Sequence, residues 1–373
     1  MAVLFLASRA LVNPSKRWTS LGIYGINLYP MNPSLRPVVA VTQKAQITPL
    51  RRPLSGRFSL GTPAARHLLV AAALALTLPA AWAQEAEDLL DEQPSQEFKF
   101  MGSGGLAWQG EADIDGDGDG TIQVNRYDAA IGFEAALTQK LTWLNTFFVG
   151  LSDYDFEGGG FAAGNPWETV LFNRYGTQLA YQIDEHWGVR AGGVFMFSRE
   201  TDADWDDGFT GGGSLGVDYR VSKTLFLSLG VAGVTQIEGG ARVEPAVAIN
   251  WLPAEQWTVR VGAVPVSGGA AAGAEVEYQF TQSWNVGLGL LFNQRRFRLD
   301  DDSAVARNGV GEDDTLPLRL RLGWDITPQV SLNFLAGIVL AGQLQLDDEN
   351  GNTLREQDYD PAPYVGIRAV GRF

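Results

Sequence analysis

From Phe98 to Phe373 the chain alternates between apolar and polar residues with a period of two, and this pattern recurs in runs longer than an ordinary strand. In Leu316-Pro317-Leu318-Arg319-Leu320-Arg321-Leu322-Gly323-Trp324-Asp325 every even position is large and apolar, and every odd position is small, polar or charged. Trp257, Val259 and Val261 alternate in the same way with Thr258, Arg260 and Gly262, as do Ala274, Val276, Tyr278 and Phe280 with Glu275, Glu277 and Gln279. Successive side chains of a strand point to opposite faces, so each run has one apolar and one polar face. No stretch after Ala83 holds the ~18 consecutive apolar residues of a membrane helix, and no 3.6-residue stripe competes with the alternation.

Short turns divide the runs at Thr138-Gln139-Lys140, Asp184-Glu185-His186, Ser222-Lys223-Thr224, Pro253-Ala254-Glu255, Thr281-Gln282-Ser283 and Thr327-Pro328-Gln329. Aromatic residues flank them: Trp143, Tyr181, Trp187, Tyr219, Trp251, Trp257, Tyr278, Trp284 and Trp324. The connections between these turns are longer and acidic, near 110–120, 154–167, 199–211, 235–242, 266–270, 297–314 and 346–359. Short turns on one rim, longer loops on the other and an aromatic girdle are the asymmetry of a bacterial transmembrane barrel. The fold expected is all-β, an antiparallel transmembrane β-barrel of about 14 strands (12 to 16) over residues 98–373. A soluble sandwich also alternates, but its strands are shorter and its aromatics collect in one core.

Charge divides the chain at Ala83. Residues 1–83 hold nine of the 28 basic residues and none of the 43 acids, which leaves the remainder at a formal −24. Arg66, the apolar run Leu68–Leu78, Pro79 and Ala81-Trp82-Ala83 before Gln84 form the three parts of a signal peptide with an A-x-A cleavage site. Residues 61–83 are read as that signal, 1–60 as a leader without mature function from a start codon placed too far upstream, and 84–97 as a short acidic periplasmic tail. Cysteine is absent, which excludes disulfides and thiolate chemistry. His186 is the one histidine beyond the signal, and its position on a short turn reads as a solvated residue rather than a general base.

The final run, Tyr364-Val365-Gly366-Ile367-Arg368-Ala369-Val370-Gly371-Arg372-Phe373, ends on an aromatic with apolar residues alternating back from it. It resembles the C-terminal β-signal of Gram-negative outer-membrane proteins, and the whole chain resembles their porin-like barrels. The resemblance implies location in the bacterial outer membrane, lipid and lipopolysaccharide as surroundings, and the barrel-assembly machinery and periplasmic chaperones as partners during biogenesis, with Phe373 as the residue read. Nucleic acid is not an expected partner.

With the apolar set facing lipid, the lumen receives Arg126, Arg174, Arg190, Asp218, Arg220, Arg260, Glu275, Glu277, Arg319, Arg321, Asp325 and Arg368. Two readings follow: a porin-like channel for passive diffusion of small hydrophilic solutes, biased toward anions by its arginines, or a structural or adhesive surface barrel whose lumen is closed by Arg–carboxylate pairs. A lipid-modifying enzyme is a third, disfavoured by the lone His186. Arg319 and Arg321 are expected to line the path and to be replaceable without unfolding. The first loop carries Asp113, Asp115, Asp117 and Asp119 with Gly120, the alternating carboxylates of a calcium loop, but Arg126 stands where a bidentate Glu belongs. Weak Ca or Mg binding is the expectation there, shared with Asp202, Asp204, Asp206, Asp207, Asp300–Asp302, Glu312–Asp314 and Asp347–Glu349. No other cofactor is called for.

Overall fold

The computed structural model describes residues 98–116, 118–266 and 269–373. The leader, the signal peptide, the acidic tail 84–97 and Asp117 lie outside them. The strands are β1 (Phe98–Ile114), β2 (Gly120–Ala136), β3 (Leu141–Glu157), β4 (Thr169–Gln182), β5 (Trp187–Glu200), β6 (Phe209–Ser222), β7 (Leu225–Thr235) and β8 (Ala241–Ala254). They continue with β9 (Trp257–Val266), β10 (Gly269–Gln279), β11 (Trp284–Arg298), β12 (Val310–Thr327), β13 (Val330–Asp347), β14 (Thr353–Tyr359) and β15 (Ala362–Arg372).

Each strand from β1 to β13 pairs antiparallel with the next, and β14 and β15 both lie between β13 and β1. They are two halves of one wall strand, interrupted at Asp360-Pro361, where proline cannot donate to a ladder. The result is a closed ring of 14 strands, an even number, with no free edge. Phe373 completes the closure by exchanging backbone hydrogen bonds with Phe100, each 2.7 Å.

The alternation gives the wall its two faces. Leu106, Tyr127, Ile131, Leu215, Leu229, Val243, Leu288, Leu320 and Val365 point outward and are exposed, forming an apolar surface around the ring. Near the short turns the aromatics pair across strands: Trp187 with Tyr219 (ring centroids 4.4 Å apart), Trp257 with Tyr278 (4.7 Å), Trp284 with Trp324 (5.4 Å). Five of the six short turns share one chemistry. Thr138, Asp184, Ser222, Thr281 and Thr327 each accept from a backbone N–H two residues on, which fixes the bend locally. Two such N–H groups, of His186 and Trp187, hold the Asp184 carboxyl below its usual range. That local stabilisation is therefore present above an ordinary aspartate pKa and is lost as pH falls.

The loop rim departs from the expectation in its bounds. The 266–270 connection shrinks to two residues between β9 and β10, the ends of 297–314 belong to β11 and β12 with the connection proper at 299–309, and most of 346–359 is strand. The wall also loosens beside β9: β8 pairs with β9 at Ile249–Trp251 and again at Ala254, and the ladder stops at Gly262. Gly262 takes a φ of 92°, where any Cβ would sit 1.9 Å from the Val247 carbonyl oxygen, so only glycine fits this bend.

Candidate functional site

Contacts between strands that are not neighbours in the ring identify the interior. Arg126 on β2 reaches Asp313 on β12 at 2.9 Å, Tyr154 on β3 donates to the same carboxylate at 3.0 Å, and Ser198 on β5 donates to the Arg296 carbonyl on β11 at 2.6 Å. Such bonds can only cross the lumen. They also show that the interior has two unlike halves.

The half toward the short turns is polar. Arg319 holds Glu275 at 2.7 Å, while Arg260 and Arg321 converge on Glu277 at 2.9 and 2.6 Å. Arg321 spans from β12 to β10 over Gly287 of β11, where a Cβ would lie 3.2 Å from its guanidinium and 3.3 Å from the Glu275 carboxyl. Arg368 reaches Asp128 at 3.3 Å. These groups surround a cavity of about 320 Å³, also lined by Asn285, Asn333, Asp325 and Arg372. Five arginines (260, 319, 321, 368 and 372) face three carboxylates (275, 277 and 325) there, so the vestibule carries an excess of positive charge. On the opposite wall Arg190 pairs with Asp218 at 2.9 Å and reaches Ser228, and further toward the loops the Arg174 guanidinium lies over the Phe148 ring, 5.9 Å from its centroid. Arg220 sits on the same inward face, opposite Phe226 in the ladder.

Arg319 is only 4% exposed and Glu275 1%, so this pair is part of the packing. Arg260 also reaches Glu275, at 3.5 Å, so this carboxylate is shared by three guanidinium groups.

The half toward the loops is not clear. The ends of β11 and β12 fold inward across the mouth, and Arg298 on β11 meets Arg199 on β5 in a parallel bridge. Arg298 donates to the carbonyls of Asp207, Ile237 and Asn308, tying three connections together. Phe297 and Trp167, fully buried, pack edge to face at 5.3 Å within a cluster that includes Tyr154, Phe161, Leu299 and Leu344. Tyr359 lies flat over Gly342, where a Cβ would fall 1.9 Å from its ring. At the centre Asp313, 0% exposed, accepts from Arg126, Tyr154 and Tyr359. Arg296 gathers Glu238, Glu312 and Asp347.

Several loop acids thus have a different role from the solvated, cation-sharing one expected. Glu312, Asp313, Asp314 and Asp347 are buried in β12 and β13, and Glu312, Asp313 and Asp347 are paired with arginines. Asp113, Asp115 and Asp119 form no cluster: among the described residues no three His, Asp or Glu groups converge as a metal site would require. His186 lies on its turn with its ring 6.5 Å from that of Tyr219, its backbone N–H donated to Asp184. The residues that sequence reasoning passed over are the inward aromatics Phe148, Tyr154, Phe172, Phe297 and Tyr359. Their signal was the break in alternation itself, as in Phe147-Phe148-Val149, where both faces become apolar.

No protein-family model matches the sequence, and no curated protein matches it. Among solved structures, a mutant of the monoaromatic hydrocarbon channel TodX aligns with 76% of this chain and 94% of its own at 10% identity and a TM-score of 0.44. A Pseudomonas putida F1 outer-membrane channel covers 76% and 97% at 12% identity and 0.41, and a Pseudomonas aeruginosa FadL homologue covers 74% and 90% at 8% identity and 0.42. Likeness at this level says nothing about solute or mechanism.

Proposed function

We propose that this chain is an outer-membrane channel for small hydrophilic solutes, biased toward anions and closed at its outer mouth by the inward-folded ends of β11 and β12. The apolar outer surface and its aromatic rim suit a lipid bilayer, with lipopolysaccharide around the loops and assembly by the outer-membrane machinery that reads the terminal Phe373. The observation that carries the reading is the vestibule, a cavity of about 320 Å³ in which arginines outnumber carboxylates. Passage requires the plug to move.

A closed structural or adhesive barrel is the second reading, favoured by the packed cluster around Trp167 and Phe297. Reversal potential across a planar bilayer under a KCl gradient separates the two. The channel reading expects anion preference, shifted toward cations by Arg372→Glu, which reverses a charge on an exposed vestibule residue. Cation preference unaltered by that substitution removes the arginines from the path, and absence of any conducting state supports the closed barrel.

A further inference from the structure

The loop-side half encloses a second cavity, of about 400 Å³, between the inner faces of β2 to β8 and the inward arm of β11. Phe148, Phe172, Met196 and Phe292 line it, which is unusual for a lumen that is polar a few residues further down. Its size lies within the range of small-molecule sites, and apolar walls with a few convergent polar groups are their usual composition.

The charges around it do not balance. Arg296 is matched by three carboxylates, Arg126 by Asp313, and Arg242 by Glu244 at 2.5 Å. Arg295 has Asp313 as its ion-pair partner at 3.8 Å, but that carboxylate already accepts from Arg126, Tyr154 and Tyr359. The Nη1 of Arg295 is buried without a hydrogen-bond acceptor. Across the same lining, Oε2 of Glu244 is buried without a donor. Each of these atoms belongs to a paired ion yet makes no hydrogen bond, and a buried polar atom in that state favours a ligand or water that supplies one.

We propose that this cavity binds an aromatic carboxylate bearing a hydrogen-bond donor at its far end. Its carboxylate meets Arg295, its ring lies among Phe148, Phe172 and Phe292, and its donor reaches Glu244. Binding of this kind goes beyond conduction and holds whether or not the barrel passes solute.

Calorimetric titration of the chain refolded in detergent with 4-hydroxyphenylacetate tests it, alongside the uncharged 2-(4-hydroxyphenyl)ethanol and acetate. The acid should saturate, with the alcohol and acetate at least about tenfold weaker. Arg295→Gln should weaken the acid by at least about tenfold and leave the alcohol within about twofold. Phe148→Trp, which fills the cavity without removing a charge, should abolish binding of both, with folding of each variant checked by heat-modifiable gel mobility. The proposal fails if the acid shows no saturable binding, if acid and alcohol bind alike, if acetate equals the aromatic acid, or if Phe148→Trp leaves affinity unchanged. If Arg295→Gln does not fold, the comparison of acid with alcohol and the Phe148→Trp result still decide.

Discussion

Asp313 shows how much one side chain can hold. Its carboxylate is fully buried, yet it sits between Arg126, Tyr154 and Tyr359, residues from three other wall strands. In a low-dielectric interior such a group stabilises only when its partners are complete. Asp313→Asn leaves the Arg126 guanidinium without its counter-charge and should cost about 3–5 kcal/mol, whereas Tyr154→Phe, which removes one neutral donor, should cost about 1–2 kcal/mol. Urea unfolding in detergent or lipid vesicles measures both. A cost for Asp313→Asn no larger than that for Tyr154→Phe would contradict the buried cluster. None of this was legible in the sequence, because Glu312-Asp313-Asp314 reads as a run of solvated acids until a partner 187 residues away is placed beside it. The inward face of Arg319 or Glu275 was legible, since strict alternation assigns it without any tertiary information.

At the scale of elements, the short turns were legible because their chemistry is local: in five of the six a Thr, Ser or Asp oxygen caps an N–H two residues on. The inward turn of β11 and β12 was not, because apolar residues that pack into a lumen look in sequence like apolar residues that face lipid. Phe297 and Leu299 carry no mark that distinguishes them from Leu320 and Leu322, yet the first two are buried and the last two exposed. Orientation of the elements is directly testable in a chain without cysteine. Cysteine at Asp302, on the connection at 299–309, should react with an impermeant thiol reagent on whole cells, and cysteine at Lys223, on the turn between β6 and β7, should not. The opposite pattern would mean that the loop rim faces the periplasm.

For the whole molecule, ring closure at 14 strands places the barrel between those filled by side chains, at about 8 strands, and those with aqueous channels, at about 16–18. A wall of this size leaves room that must be either hydrated or packed, and this chain does both: an arginine-rich vestibule on one side and an aromatic plug on the other. Strand number and the two faces follow from the period and the turns, but the division of the lumen depends on which inward side chains meet across it. The most direct measurement is unit conductance in a planar bilayer for the wild-type barrel and for the variant combining Phe297→Ser with Leu299→Ser, each confirmed as folded. A plugged channel predicts brief, rare openings in the wild type and longer, larger ones in the variant, with anion preference in both. Silence from both proteins, or a conductance that the two substitutions leave unchanged, would contradict it.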